Sequence, residues 1–392
     1  MNIHTSAGPS QKAGLPIFIL AVAAFVLLTT EFLILGLLPP LARDLGISIS
    51  VAGQLVTVFA VVVVLVGPPL AALVSHWPRK PLFLGILVVF AVSNGLSAVA
   101  TDFWSLALAR TLAAAALPVF WGTASESAAA LVPPGRAGRA VSQVYLGITT
   151  AFVFGIPLGT VAVTYVGWRG SFALLGALCL LVAALMAAFM PNVPGAPKVD
   201  GAPSQLSILR NGHFIANVLL TALVFTGMFV AYTYLADTLE RVVGVAPERV
   251  GWWLMGFGAV GMLGNVLGGR LVDRDAALAT ATLLGMLAFG MAGVPAAAGW
   301  LPGVVLAMMV WAMAYTALFP VCQVRVMQAG AQAKALAGTL NVSASNAGIG
   351  LGAAIGGMAI PLLGLDGIGY LSAAIAVAGV LVALMIRRGS RT

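Results

Sequence analysis

A chain of 392 residues that is 61% hydrophobic and only 8% charged cannot clothe a water-facing surface, because soluble domains carry roughly a quarter charged residues. Its mean hydropathy of +1.07 assigns it to a bilayer. The formal net charge of +8 then reads as flanking charge facing anionic lipid, not as a nucleic-acid surface.

A spanning helix needs about 20 mostly apolar residues. Twelve such runs can be placed: 15–38, 51–75, 81–100, 104–132, 140–166, 169–190, 214–238, 249–272, 276–298, 301–327, 333–363 and 366–388. The first 14 residues are polar, and no secretory signal precedes the first run. The first run closes on TTEFLILGLLPP (29–40), which places Glu31 inside hydrocarbon. The second runs into GPPLAALVSHWPRK (67–80), with Arg79 and Lys80 in its turn. The fourth carries Arg110, Trp121 and Glu126, and the fifth holds FGIPLGT (154–160).

The segment PNVPGAPKVDGAPSQLSILRNGH (191–213) is a long polar break, rich in Pro and Gly, and reads as a cytoplasmic linker. It separates a bundle over 15–190 from a second over 214–388, with short tails at 1–14 and 389–392. In the second half the seventh span sets Phe225, Phe229 and Tyr232 on one face. The eighth ends in GNVLGGRLVDRD (264–275), the tenth holds Trp311, and the eleventh contains NAGIGLGAAIGG (346–357). These echo the first half. The expected fold is an all-α membrane protein with twelve transmembrane helices in two pseudo-symmetric six-helix bundles. Such a duplicated chain reads as a secondary transporter with its site between the halves.

Lys and Arg positions set the orientation. With the N-terminus inside, about fourteen of the 19 basic residues fall in cytoplasmic segments and about four in outer ones, with Arg110 left within a span. Both termini are therefore expected in the cytoplasm. Trp77, Trp104, Trp168, Trp252, Trp253 and Trp300 lie near predicted helix ends, where indoles favour the interface.

Several chemistries lack their parts. There is no GxxxxGK[ST] loop, so ATP is not the expected energy source. No Ser/His/Asp, HExxH or paired-Cys arrangement supports an enzyme. Cys179 and Cys322 lie in separate apolar runs and read as buried thiols. His4, His76 and His213 fall in predicted tails or loops, so no metal or cofactor is expected.

The sequence resembles the major facilitator superfamily, in particular its twelve-span drug:proton antiporters. Gly269-Arg270-Leu271-Val272-Asp273-Arg274 matches the signature after the eighth span. The first-half copy keeps Arg79 and Lys80 but has Ala71 for the motif's Gly and Ser75 for its Asp. Leu106 to Arg110 matches the fourth-span motif, and Gly147, Gly155, Pro157 and Gly159 match the fifth-span antiporter motif. TTEF, GLLPPLARDLGIS, FWG (120–122), LVPPGRAGRA (131–140) and GIPLGT…GWRGSF are similar to the sugar-efflux, arabinose-efflux and chloramphenicol-resistance branch.

The resemblance implies proton-coupled export of a small organic molecule from the bacterial inner membrane, by a monomer. Uptake by symport of a sugar or nucleoside, or a non-transporting sensor on the same fold, are the alternatives. Glu31 lies seven residues before Leu38 and Arg110 seven after Phe103, about 10 Å down in each case. The family fold sets these two helices side by side. Burial penalises a charged carboxylate and a guanidinium favours it. Glu31 is thus expected to bind the coupling proton with Arg110 tuning it; the alternative is a fixed ion pair locking the two helices.

Trp121 shares a helical face with Arg110. Together with Phe229, Tyr232, Trp311, Asn341 and Ser345 it is expected to line the substrate cavity. Plain bundle packing is the alternative for each, including the Asn341, Ser345, Gly348 and Gly352 stripe. Glu126 is expected to reach Arg79, Lys80 or Arg136 as an inner latch, and Asp273 to work with Arg270 and Arg274 at the second gate. Gly155, Pro157 and Gly159 are expected to allow close packing or bending. Asp237 and Glu240 read as a solvated rim.

Overall fold

The computed structural model describes residues 14–74, 76–133, 136–195, 205–331 and 334–389. Ser75, most of the N-terminal tail and residues 196–204 of the linker lie outside these. Among the described residues the chain is helical, and ten segments are long and apolar enough to cross a membrane.

Helix α1 (Gly14–Leu45) runs through Pro39 and Pro40 and ends seven residues beyond Leu38, where the apolar run was expected to stop. Its end is held from the side. The Asp44 carboxylate accepts from the Trp168 indole at 3.1 Å and pairs with Arg169 at 2.5 Å, while Arg169 also donates to the Ala100 carbonyl. Trp168 is therefore buried in a polar contact rather than set against lipid. Trp77, Trp104, Trp252 and Trp300 are exposed as expected of interface residues.

Helices α2 (Ile49–Val74), α3 (Arg79–Ala98) and α4 (Phe103–Ala130) follow. Helix α4 starts at Asp102, whose carboxylate accepts from the amides of Trp104 and Ser105 at 2.9 and 3.0 Å. The hydrogen bonds from Ser105 hold that carboxyl below the usual range.

Helix α5 (Ala137–Thr150) continues through a π-helical turn (Ala151–Gly155) into α6 (Ile156–Phe189). Gly167 has φ 70°, a left-handed conformation that glycine adopts without strain. The chain doubles back there, because the Ser171 hydroxyl lies 3.4 Å from the Gly159 carbonyl. Twelve residues of straight helix would separate those positions by about 18 Å.

A 3-10 turn (Gln205–Arg210) leads into α7 (Gly212–Tyr232) and the short α8 (Leu235–Arg241). Then come α9 (Pro247–Val272), α10 (Ala276–Ala296), α11 (Leu301–Ala329) and α12 (Lys334–Gly389). Helix α12 reverses at Gly364, φ 75°. Its first part runs parallel to α7, with Gly348, Gly352 and Gly356 against Ala222, Thr226 and Val230. Its second part runs antiparallel to α7, with Ile375 against Gly227 and Gly379 near Leu223.

Glycine sets the close approaches. A Cβ on Gly155 would fall 2.1 Å from the Thr29 hydroxyl, and one on Gly159 would fall 2.6 Å from Leu33. Both residues thus press α1 from within the same half. On the other side of this run, a Cβ on Gly258 would meet the Phe152 carbonyl at 2.6 Å and one on Gly251 the Pro157 carbonyl at 3.1 Å. The fifth-span motif therefore packs in two directions, onto α1 and onto α9. The π turn immediately precedes Pro157, which brings no amide donor to the helix.

Glycines in tight and open positions should respond oppositely to alanine. Gly147→Ala places a Cβ 2.1 Å from the Ala21 carbonyl, whereas Gly285 has nothing within 4 Å. Thermal unfolding in detergent is expected to show Gly147→Ala destabilised by about 1–3 kcal/mol and Gly285→Ala unchanged or slightly stabilised.

Candidate functional site

Arg110 is buried, with its guanidinium 5.1 Å from the Phe59 ring centre and 5.7 Å from that of Phe172. It does not pair with the Glu31 carboxylate; no ion pair among the described residues joins the two. Instead Nη1 donates to the Thr30 carbonyl at 3.3 Å and Nη2 to the Glu31 carbonyl at 3.0 Å. Asn94 adds a third tie to the same turn, donating to the Thr30 hydroxyl at 3.1 Å. The fixed ion pair is thus absent, and α1 is held to α4 through main-chain oxygens. The planar fork of a guanidinium spans two successive carbonyls from separate nitrogens, a geometry that a compact ammonium does not reproduce.

The Glu31 side chain lines a small cavity with Arg110, Phe59 and Asn346. The cavity measures about 10 Å3, on the order of one water position. Asn346 was not singled out in the sequence, although it adjoins the Asn341–Ser345 stripe. Its amide nitrogen donates to the Val342 carbonyl at 3.0 Å, which orients the group, and leaves Oδ1 buried without a donor. A carboxyl group and an unfilled acceptor therefore share one cavity.

Phe32 links this cavity to an aromatic cluster. Its ring centre lies 6.0 Å from that of Phe229. Around Phe229 the structure gathers Tyr232, Phe257, Trp311, Tyr315 and Phe319, with Tyr232 and Tyr315 only 4.2 Å apart. A second cavity of about 10 Å3 is lined by Phe152, Pro157, Tyr232, Phe257 and Tyr315. The Trp311 indole nitrogen is buried without a partner, while the Tyr315 hydroxyl is buried beside the Tyr232 side chain. Tyr315 and Phe257 escaped the sequence reading because lone aromatics on apolar helices look like ordinary packing.

The other expected cavity residues lie elsewhere. Trp121 is half-buried against Phe120 and Tyr145. Asn341 is buried in the second half and bound to Thr221 and Gln323, while Ser345 donates to the Asn341 carbonyl one turn back. The basic residue Arg325 does not lie in a loop. It lies instead inside α11 and is only 3% exposed.

Among the expected gate residues, Arg79 is buried and pairs with Glu126 at 2.7 Å, and its amide donates to the Val193 carbonyl at the start of the linker. Lys80 is partly buried beside it. This pair ties α3 to α4 within the first half. After α9, Arg270, Asp273 and Arg274 are exposed and enter no ion pair among those described. Asp275, two residues on from Asp273, caps α10 and pairs with Arg387 at 2.6 Å.

Asp237 and Glu240 are not a solvated rim. Glu240 pairs with Arg43 of α1 at 2.7 Å, and Asp237 is fully buried with Arg241 2.9 Å away, off line for a hydrogen bond. At this same end, opposite the linker, the Thr57 hydroxyl of α2 donates to the Gly350 carbonyl of α12 at 3.2 Å. The two halves of the chain thus touch at this end through ion pair, hydroxyl and glycine contacts.

Long apolar helices around a buried carboxyl, a buried guanidinium and an aromatic cluster define a multi-pass membrane transporter. The chain belongs to the Major Facilitator Superfamily, whose model matches residues 20–335. Members are transporters, not enzymes. The chain is 33% identical to the inner membrane transport protein YdhP of Escherichia coli K12, over 92% of this chain and 91% of that one. It is 31% identical to a probable sugar efflux transporter of Helicobacter acinonychis, over 95% of each. It is 33% identical to a chloramphenicol efflux pump of Mycobacterium tuberculosis, over 87% of this chain and 84% of the pump.

Thermal unfolding separates a clamp from an ion pair. Arg110→Leu should lose on the order of 2 kcal/mol or more, since charged donors to two carbonyls go with it, and Arg110→Lys should recover little of that. Glu31→Gln should unfold at or above the native midpoint, because its carboxylate has no partner to lose.

Proposed function

We propose that this chain is a proton-coupled exporter of a small organic molecule, and that Glu31 carries the coupling proton. The observation that carries this reading is the unpaired Glu31 carboxylate in a water-sized cavity, beside an Arg110 whose hydrogen bonds go to the backbone. A carboxylate locked in an ion pair would resist protonation. One left free beside a fixed positive charge can take up and release a proton as the cavity is wetted and dried. Asn346 Oδ1 offers an acceptor in the same space, which a protonated carboxyl or a proton-bearing water would fill. Intramembrane acids of this kind commonly mark proton relays.

The reversals at Gly167 and Gly364 convert ten apolar segments into twelve crossings. They support two six-helix bundles, 15–190 and 214–388, joined by the linker 191–213. The basic residues favour a cytoplasmic linker and cytoplasmic termini, in a bacterial inner membrane like that named for the Escherichia coli relative. The Arg43–Glu240 pair and the α2–α12 and α9 glycine contacts would then close the outer side. Arg79–Glu126 would stiffen the inner end of the first bundle, with Lys80, Arg270, Asp273 and Arg274 free to engage when that end closes. The chain would act as a monomer.

Substrate would lie against Phe229, Tyr232, Trp311 and Tyr315. The aromatic walls fit an apolar or amphiphilic body, and the unpartnered Trp311 indole donor fits an acceptor on it. Relatives of nearly equal identity carry sugar and drug names, so a sugar, a nucleoside or an amphiphilic drug all remain within the class. Each inward charge contributes about 2.3 kcal/mol per 100 mV, roughly a 50-fold concentration ratio, which suffices to drive export.

Reconstituted vesicles with an imposed pH gradient test this directly. Solute should move against the proton flow; movement with it would establish symport, and no solute flux would establish a non-transporting protein. Glu31→Gln should abolish the gradient-driven component while leaving substrate-induced thermal stabilisation in place, and a fully coupled Glu31→Gln would rule the proton role out. Trp311→Phe should weaken ligand binding by roughly 5–10-fold, the loss of one hydrogen bond.

A further inference from the structure

Asp237 is a fully buried acid outside the Glu31 cavity. It lies in α8, just beyond the break in the helix at Thr233 and Tyr234. Its Oδ1 is 2.9 Å from Arg241 Nε, and its Oδ2 is buried without a hydrogen-bond partner. The Arg241 side chain is 57% exposed, so water screens its charge. Helices α1, α9 and α12 pack against α8. Helix α1 brings Arg43, which is taken by Glu240 at 2.7 Å. Among the described residues, Glu248 and Arg249 of α9 and Asp366 of α12 form no ion pair with Asp237.

The meeting of the two halves is what covers Asp237. Three residues before it, the Tyr234 hydroxyl donates to the Ala353 carbonyl of α12 at 2.8 Å. The same hydroxyl occupies the place where a Cβ on Gly53 of α2 would stand. Three residues after Asp237, Glu240 holds Arg43 of α1. Positions three apart share a helical face, so the face of α8 that carries Asp237 is laid against the first half. Parting the halves at this end would withdraw α1 and α2 and admit water to the carboxyl. Closing it dries a group whose Oδ2 has no donor. Burying a charged carboxylate in that state is costly, and a proton removes the charge. Glu240 behaves in the opposite sense, because a proton there would cut its bond to Arg43 and weaken the closure.

We propose that Asp237 is a second proton-binding group of this chain, loaded when the end opposite the linker packs shut and emptied when that end opens to water. The proton comes from the side that this end faces, and binding it favours closure there. This rests on the reading above that the halves part and meet in turn, but it asks nothing of the proton at Glu31.

Spin labels on Thr101→Cys, between α3 and α4, and on Ala298→Cys, between α10 and α11, report the opening of this end as a distance in the purified chain. Both positions are exposed, and the native thiols Cys179 and Cys322 are buried. As the pH falls from about 8 to about 5, the ratio of closed to open forms should rise, by up to about 10-fold per unit for one proton. Asp237→Asn, neutral at every pH, should stay closed and lose the response, while Glu31→Gln should keep it. Arg241→Gln should move the response to higher pH by about one unit. Opening on acidification overturns the proposal, as does no response in the native chain or a response that survives Asp237→Asn. Should Asp237→Asn fail to fold, an unmoved response in Arg241→Gln overturns it instead. Solute flux in vesicles without a pH-dependent distance defeats this proposal and leaves proton-coupled export standing; a distance that responds through Asp237 without flux does the reverse.

Discussion

Arg110 spends its terminal nitrogens on two main-chain carbonyls, and the freedom of the Glu31 side chain follows from that. A guanidinium buried in hydrocarbon must find acceptors. Had it taken the carboxylate, α1 and α4 would be joined by a pair whose protonation breaks the joint. By taking backbone oxygens, it fastens the helices with groups that do not titrate within any accessible range. A change of charge on the carboxyl group would then not loosen the helix that carries it. Fastening the helices and carrying a titratable group thus fall to two different residues.

The glycines of the antiporter-like motif make the second constraint. They bring α1, the π turn and α9 so close that carbonyls and hydroxyls occupy the space where side chains would stand. Interfaces built this way are flat and largely apolar, held by short-range packing rather than by directional bonds. Opposite the linker they are supplemented by Arg43–Glu240 and by Thr57 to the Gly350 carbonyl. Among the described residues few strong bonds cross between the halves.

Charge placement was the hardest feature to read. Asp237, Glu240 and Arg325 all sit within a few residues of helix ends, where charged side chains ordinarily meet water. The helices here run past the apolar stretch: α1 through two prolines to Leu45, and α11 to Ala329. The extended end of α1 brings Arg43 to Glu240 of α8, while Asp237 and Arg325 are covered by the packing of neighbouring helices. Asp275 both caps α10 and meets Arg387 of α12, a pairing of residues over a hundred positions apart in the chain.

By itself the sequence determined the class of the molecule. Its long apolar runs, sparse charge, central polar break and echoed motifs admit little besides a duplicated helical membrane protein, because hydrocarbon allows a chain so few ways to satisfy its backbone. It also singled out Glu31, Arg110, Phe229, Tyr232 and Trp311, since charges and large aromatics inside spans are costly or conspicuous. Only the tertiary structure decided what those groups touch. Whether a guanidinium takes a side-chain or a main-chain oxygen, and whether Asn341 faces a cavity or Thr221, depends on helix rotation and depth to within an ångström or two. Helical periodicity constrains rotation loosely and depth hardly at all, so that partnership is written in the packing of helices distant in the chain.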